Sequence, residues 1–232
     1  MVASPLPALT RVLIIDDHPI IRQGLRRLLE GEEGFSVAGE AEDAGAALVL
    51  LREEDVDLVV LDLSLKGVSG LEFIKQAVAE HPDLPILVLS MHHERFYAER
   101  ALKAGARGYI MKEEPAENLL EALRRVADGE LYLSPSFSNA LVRQAVDGTA
   151  NLSRGADQLS DRELEVLRLI GQGRRTRDIA DDLSLSIKTI ESYRANIKRK
   201  VGLDDASALA HYAFHWVQAQ RDPNGMGHSG DP

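Results

Sequence analysis

Along the first 130 positions the apolar residues follow two alternating rhythms. Short β-rich runs, "RVLIID", "FSVAGEA", "DLVVLDL", "PILVLSM" and "RGYIMK", read as strands. Each is followed by a longer stretch in which apolar residues recur every three or four positions, as with Leu71, Ile74 and Val78, or Leu119, Leu123 and Val126. Five strand-then-helix units in succession predict a parallel sheet with helices on both faces, a doubly wound five-stranded α/β domain ending near Gly129. The texture then changes: "GELYLSPSFSNALVRQAV" predicts a short extra helix, and "DGTANLSRGADQ" a flexible linker. From Leu159 onward the pattern is all helical. It opens with "LSDRE", in which Ser160 and Glu163 have capping-box spacing, and continues through a short helix "TRDIADDL", a turn "SLS", a longer helix from Ser186 and a last helix "DASALAHYAFHWV". The tail "RDPNGMGHSGDP" is too polar and Gly-rich to fold. The expected organisation is an α/β domain over 10–128, an extra helix and linker over 129–156, an all-α domain over 157–219 and a disordered tail over 220–232.

Length and composition agree with two soluble domains. The 232 residues include no cysteine, which excludes disulfides and thiolate metal sites. The first ten residues lack a basic start and an apolar core, and no apolar run nears the ~18 residues of a membrane span. A cytoplasmic protein with no membrane partner is therefore expected. The net charge of −10 argues against non-specific coating of nucleic acid, but its distribution is uneven. Residues 1–150 hold 15 Lys and Arg against 25 Asp and Glu, whereas residues 151–232 hold 12 of each. Within that neutral part, Ser186 to Lys200 carries Lys188, Arg194, Lys198, Arg199 and Lys200 against Glu191 alone, a local basic face.

Chemistry enters where charge meets the apolar strands. Asp62 follows Leu58 to Leu61, and a carboxylate beside a dry core costs several kcal/mol unless paired or cation-bound. Open α/β sheets bind ligands at the carboxyl ends of their strands, where "LIIDDHP" also places Asp16 and Asp17. Three convergent carboxylates call for a divalent cation, and oxygen-only ligation with no His or Cys in the cluster suits Mg2+. The hydroxyl of Ser90 and the ammonium of Lys112 end the fourth and fifth strands. A cation, a hydroxyl and an ammonium around one carboxylate are what a phosphoryl group needs, with Asp62 as its nucleophilic acceptor. In the helical part, a short helix, a turn and a basic amphipathic helix match the helix-turn-helix layout. Ile190, Tyr193, Ile197 and Val201 are expected to face its core, leaving Lys188, Glu191, Ser192, Ala195 and Arg199 on the opposite face.

The segments "IIDDH", "VVLDLSLKGVSGLE", "VLSM" and "GARGYIMKE" resemble the receiver domain of two-component response regulators, over about residues 11–128. The later stretch, about 157–219, is similar to the LuxR-type DNA-binding domain of the NarL/FixJ response regulators. The resemblance implies that Asp62 accepts phosphate from a sensor histidine kinase, and that Asp17, Asp62 and the backbone carbonyl of Ser64 bind Mg2+, with Asp16 acting through water. It further implies that Ser90 and Lys112 hold the phosphoryl oxygens and that Tyr109 turns inward on activation. Lys66 stands where many receivers have proline. In the second domain it implies phosphate contacts from Lys188, Thr189 and the nearby Arg194, Lys198 and Arg199. Glu191, Ser192 and Ala195 take the base-facing positions on promoter DNA, read by a homodimer when active. Tyr193 replaces a histidine common there. The resulting expectation is a transcription switch rather than an enzyme. An aspartyl phosphohydrolase is the rival, disfavoured because Ser64 stands two residues after Asp62, where a general acid belongs; a protein-binding helical module is another.

Overall fold

The computed structural model describes residues 9–65, 68–147 and 156–221. Lys66, most of the expected linker and the tail beyond 221 lie outside the described residues. Two compact units divide between Val142 and Arg143.

In the first unit, β1 (Thr10–Ile15), β2 (Phe35–Ala41), β3 (Leu58–Leu61), β4 (Ile86–Ser90) and β5 (Gly108–Met111) form one parallel sheet in the order β2-β1-β3-β4-β5. The connecting helices are α1 (Pro19–Glu30), α2 (Ala44–Glu53), α3 (Gly70–Glu80) and α4 (Glu94–Ala104), and α5 (Ala116–Ala127) follows β5. All four residues of β3 are apolar and buried, because a parallel strand covered on both faces has no side for solvent. The pleat sorts the strand residues between two cores. Val12, Ile14, Leu58, Val60, Leu87 and Leu89 cluster with Leu25 and Leu29 of α1 and Leu119, Leu123 and Val126 of α5. Leu13, Ile15, Val59, Leu61 and Val88 are buried on the other face. Strand order reverses between β1 and β3, so the crevice that receives ligands opens beyond their carboxyl ends.

The stretch after α5 departs from the expected single helix. Residues 131–133 run beside β5, where the Tyr132 amide donates to the Arg107 carbonyl at 3.0 Å and the Tyr109 amide to the Tyr132 carbonyl at 2.9 Å. The helix begins only at Pro135, as α6 (Pro135–Asp147), since proline suits a first helical turn and not an interior one. Ser134 caps it, its hydroxyl accepting from the Phe137 amide at 3.1 Å. The same hydroxyl donates to the buried carboxylate of Glu94, the first residue of α4.

The second unit is helical: a 3-10 turn (Ala156–Gln158), then α7 (Asp161–Gly171), α8 (Thr176–Asp182), α9 (Ile187–Val201) and α10 (Ala206–Arg221). Helix α10 thus continues two residues past the expected boundary at 219. The capping box at the start of α7 is formed in both directions: Ser160 Oγ accepts from the Glu163 amide, and Glu163 Oε2 accepts from the Ser160 amide at 2.7 Å. Between α8 and α9 the chain turns through Ser184 at φ 54°, and α9 ends at Gly202 with φ 72°, a left-handed position that favours glycine. Helices α7 and α10 approach backbone to backbone at Gly171, where an added Cβ would lie 2.3 Å from the Ala213 carbonyl oxygen. Because the obstacle is backbone, Gly171→Ala is expected to destabilise this unit by about 1–3 kcal/mol, read as a lowered urea midpoint with unchanged slope.

Candidate functional site

The acids, Ser90 and Lys112 sit at or just past strand ends, where the strands stop. Asp16 follows β1 and Asp62 follows β3, and neighbouring strands in register bring the two together across the switch point. Both are almost wholly buried, Asp16 at 1% and Asp62 at 2% exposure. Lys112, just past β5, reaches over the sheet end and places Nζ 2.6 Å from Asp16 Oδ2 and 2.8 Å from Asp62 Oδ2. One ammonium therefore serves two carboxylates, and the trio carries a net negative charge. Burial pushes the Asp62 carboxyl above its ordinary value, opposed by Lys112, while Asp16 adds to the rise. Burial disfavours the Lys112 ammonium, but Asp62 and Asp16 outweigh it and hold the group protonated, above the usual lysine range.

Carboxylate oxygens of Asp16, Asp17 and Asp62 lie within 4.8 Å of one another, together with a ring nitrogen of His18. The presence of His18 corrects the expectation of a cluster without histidine. The residue precedes Pro19 in extended conformation, φ −94° and ψ 110°, which folds its amide onto Asp16 Oδ1 at 2.8 Å and its ring toward both acids. Nδ1 lies 3.2 Å from Asp16 Oδ1 and 2.6 Å from Asp17 Oδ1, yet 64% of the side chain is exposed. Asp17 Oδ1 is buried without an aligned hydrogen-bond donor, so one acceptor in the cluster faces unmet demand.

The remaining residues form a chain of hydrogen bonds beside the acids. The Ser64 amide donates to Asp62 Oδ1 at 3.1 Å, and Ser64 Oγ meets His92 Nε2 at 2.9 Å. Ser90, fully buried at the end of β4, accepts from the His92 amide at 3.1 Å. Tyr109 is fully buried in β5, and its hydroxyl donates to the His92 carbonyl at 2.7 Å. Burial lifts that hydroxyl well above the usual tyrosine range, which keeps it a donor. His92, stacked on Tyr97 at 4.6 Å, thus links Ser90 to Tyr109. Nothing in the apolar pattern singles out His92; its place two residues after the strand-end serine is the available clue.

In the second unit α9 turns its phase as expected, with Ile190 and Ile197 fully buried and Tyr193 and Val201 half-buried. Lys188, Glu191, Ser192, Ala195 and Arg199 are exposed, while Thr189, Arg194 and Lys198 are half-buried. Ser186 caps the helix, accepting from the Thr189 amide at 3.1 Å and contacting its hydroxyl at 2.7 Å. Ser192 Oγ donates to the Lys188 carbonyl at 3.0 Å. Lys200 leaves the basic face altogether, since its Nζ is 2.6 Å from Glu163 Oε2. Burial raises the Glu163 carboxyl, but the bonds from Lys200 and Ser160 prevail and hold it below the ordinary glutamate value.

Comparison with known proteins followed the same division. The family described as response regulator receiver domain matches residues 12–124, and that described as bacterial regulatory proteins, luxR family, matches residues 157–213. The oxygen regulatory protein NreC of Staphylococcus carnosus (strain TM300) is 34% identical over 209 residues, covering 88% of this chain and 96% of that protein. RcsB from Salmonella enterica serovar Typhimurium, solved bound to a promoter in the presence of phosphomimetic BeF3-, is 33% identical with a TM-score of 0.63, covering 88% and 98% of the two chains. A structure of two RcsB dimers on two parallel DNAs is 32% identical with a TM-score of 0.55, covering 88% and 97%.

Removing one partner from a buried charge group costs about 3–5 kcal/mol. Lys112→Met is therefore expected to lower the stability of the first unit by that order in metal-free buffer. Combining it with Asp62→Asn should recover part of the loss, because one of the two stranded carboxylates is gone; a double-mutant cycle of urea midpoints measures this.

Proposed function

The chain belongs to the NarL/FixJ-type two-component response regulators, a receiver domain joined to a LuxR-type DNA-binding domain, and from that premise we propose that Asp62 accepts the phosphoryl group that switches its binding to promoter DNA. The observation carrying this reading is the sharing of the Lys112 ammonium by two buried carboxylates, Asp16 and Asp62, at the sheet's switch point. We assign the receiver to 10–128, the connecting segment to 129–156, the DNA-binding domain to 157–219 and a tail to 220–232. Among the described residues no helix is long and apolar enough to cross a membrane, and we infer a cytoplasmic protein.

A sensor histidine kinase presents phosphorus to Asp62 Oδ; the new O–P bond forms as the P–N bond to the donor imidazole breaks, and the electron pair leaves with that nitrogen. Asp16, Asp17, Asp62 and the carbonyl of Ser64 would hold Mg2+. The buried Asp17 oxygen, which has close contact with His18 Nδ1 but no aligned donor, and the clustered carboxylates fit a hard cation. When bound, the ion supplies positive charge against the phosphoryl oxygens. His18 keeps its role of bonding the acids, because Mg2+ prefers oxygen to imidazole nitrogen. Lys112 exchanges a carboxylate for a phosphoryl oxygen, and Ser90 donates its hydroxyl to another. Ser90 also holds the His92 amide, and Tyr109 holds the His92 carbonyl, so a shift at Ser90 is passed to the face formed by α4 and β5.

The output is the exposed face of α9. Lys188, Thr189, Arg194, Lys198 and Arg199 are assigned to phosphates, and Glu191, Ser192 and Ala195 to base edges, with Glu191 accepting from cytosine and Ala195 touching a thymine methyl. A homodimer reads two half-sites about one helical turn apart, ~10 bp.

Mg2+ with a small phosphodonor should add one phosphate to the full-length chain, seen by intact mass, and Asp62→Asn should abolish it; labelling that persists in the variant overturns the assignment. On DNA, Lys188→Ala should weaken binding to specific and random duplexes alike and lower the salt slope by about 1, whereas Glu191→Ala should change sequence preference. Fluorescence anisotropy over a salt series measures both, and identical effects from the two variants contradict the docking.

A further inference from the structure

Outside the receiver's acidic cluster, two imidazoles meet on one helix face. His211 and His215 lie four residues apart on α10, so they project side by side. Their Nε2 atoms are 3.1 Å apart and the ring centroids 4.3 Å apart. Both side chains are exposed, and the edge of Phe214 against His215, centroids 5.7 Å apart, restrains the second ring. From Ala206 to Gln220 the helix carries no Asp, Glu, Lys or Arg, so no ammonium or guanidinium of α10 within that span repels a cation there.

We propose that His211 and His215 form a two-nitrogen chelate for an imidazole-preferring divalent cation of the Zn2+, Ni2+ or Cu2+ class. The two nitrogens share one proton's worth of hydrogen bond when no ion is present, one ring donating and the other accepting. When the donating ring carries its proton on Nδ1 instead, both Nε2 lone pairs are open to an ion between them. With metal–nitrogen bonds of ~2.0–2.1 Å, nitrogens at this spacing subtend about 100° at the ion, between the square-planar and tetrahedral angles. The remaining coordination positions face solvent, where water fills them. Imidazole ligation selects against Mg2+, so this site and the acidic cluster of the receiver answer to different ions. Because the pair has its spacing only while α10 is helical, binding stabilises that helix and, through its packing on α7, the DNA-binding unit.

Electron paramagnetic resonance of the full-length chain with one equivalent of Cu2+ tests the site directly. The expected spectrum shows two equatorial nitrogens in the wild type and one in His211→Ala or His215→Ala, with affinity about tenfold or more lower in each. Zn2+ should raise the melting temperature of the wild type and not of either variant, while circular dichroism confirms that these exposed substitutions leave the fold intact. Asp17→Asn and His18→Ala should change none of this. A two-nitrogen spectrum that survives both α10 variants, a spectrum of oxygen donors alone, or loss of binding in Asp17→Asn would each overturn the assignment.

Discussion

A single ammonium, Lys112 Nζ, stands between two carboxylates that no protein of this size would otherwise keep out of water. Asp16 and Asp62 approach because β1 and β3 are neighbours, and the buried pair is held by the Lys112 ammonium between them. The neutralisation is incomplete, since one positive charge faces two negative ones and Asp17 adds a third. That under-neutralisation is what the divalent ion proposed above would answer, beside the buried Asp62 carboxylate. Everything the receiver does follows from leaving that charge account open at one point of an otherwise dry sheet.

The second unit handles charge in the opposite way. There the one buried carboxylate among the described residues, Glu163, accepts from the Ser160 amide and from Lys200, while its own amide donates to Ser160 Oγ. That closed arrangement ties the end of α9 to the start of α7, so the recognition helix is presented on a stiff frame.

Much of this was legible from residue order alone. A charge directly after four apolar residues marked Asp62, and the same placement at three other strand ends marked Asp16, Asp17, Ser90 and Lys112. The helical phase of α9 followed from Ile190 and Ile197. What escaped depended on distance through space. His18 reads as a helix flank, and only the bend before Pro19 returns it to the acids. Lys200 looks like any member of its basic run, and its diversion depends on a partner 37 residues earlier. The pairing of Tyr132 was hidden because an isolated "LYL" has no rhythm long enough to declare a strand, whereas the unfilled side of β5 supplies the missing partner.

That pairing bears on where the receiver ends. A chain cut at Asp128 leaves the Arg107 carbonyl and the Tyr109 amide with nothing to bond, along a flank that Tyr132 otherwise shields. Bare sheet margins invite strands from other molecules. The residues counted as connector therefore double as a selvedge, and a fragment trimmed to the five strand-and-helix repeats would trade solubility for brevity.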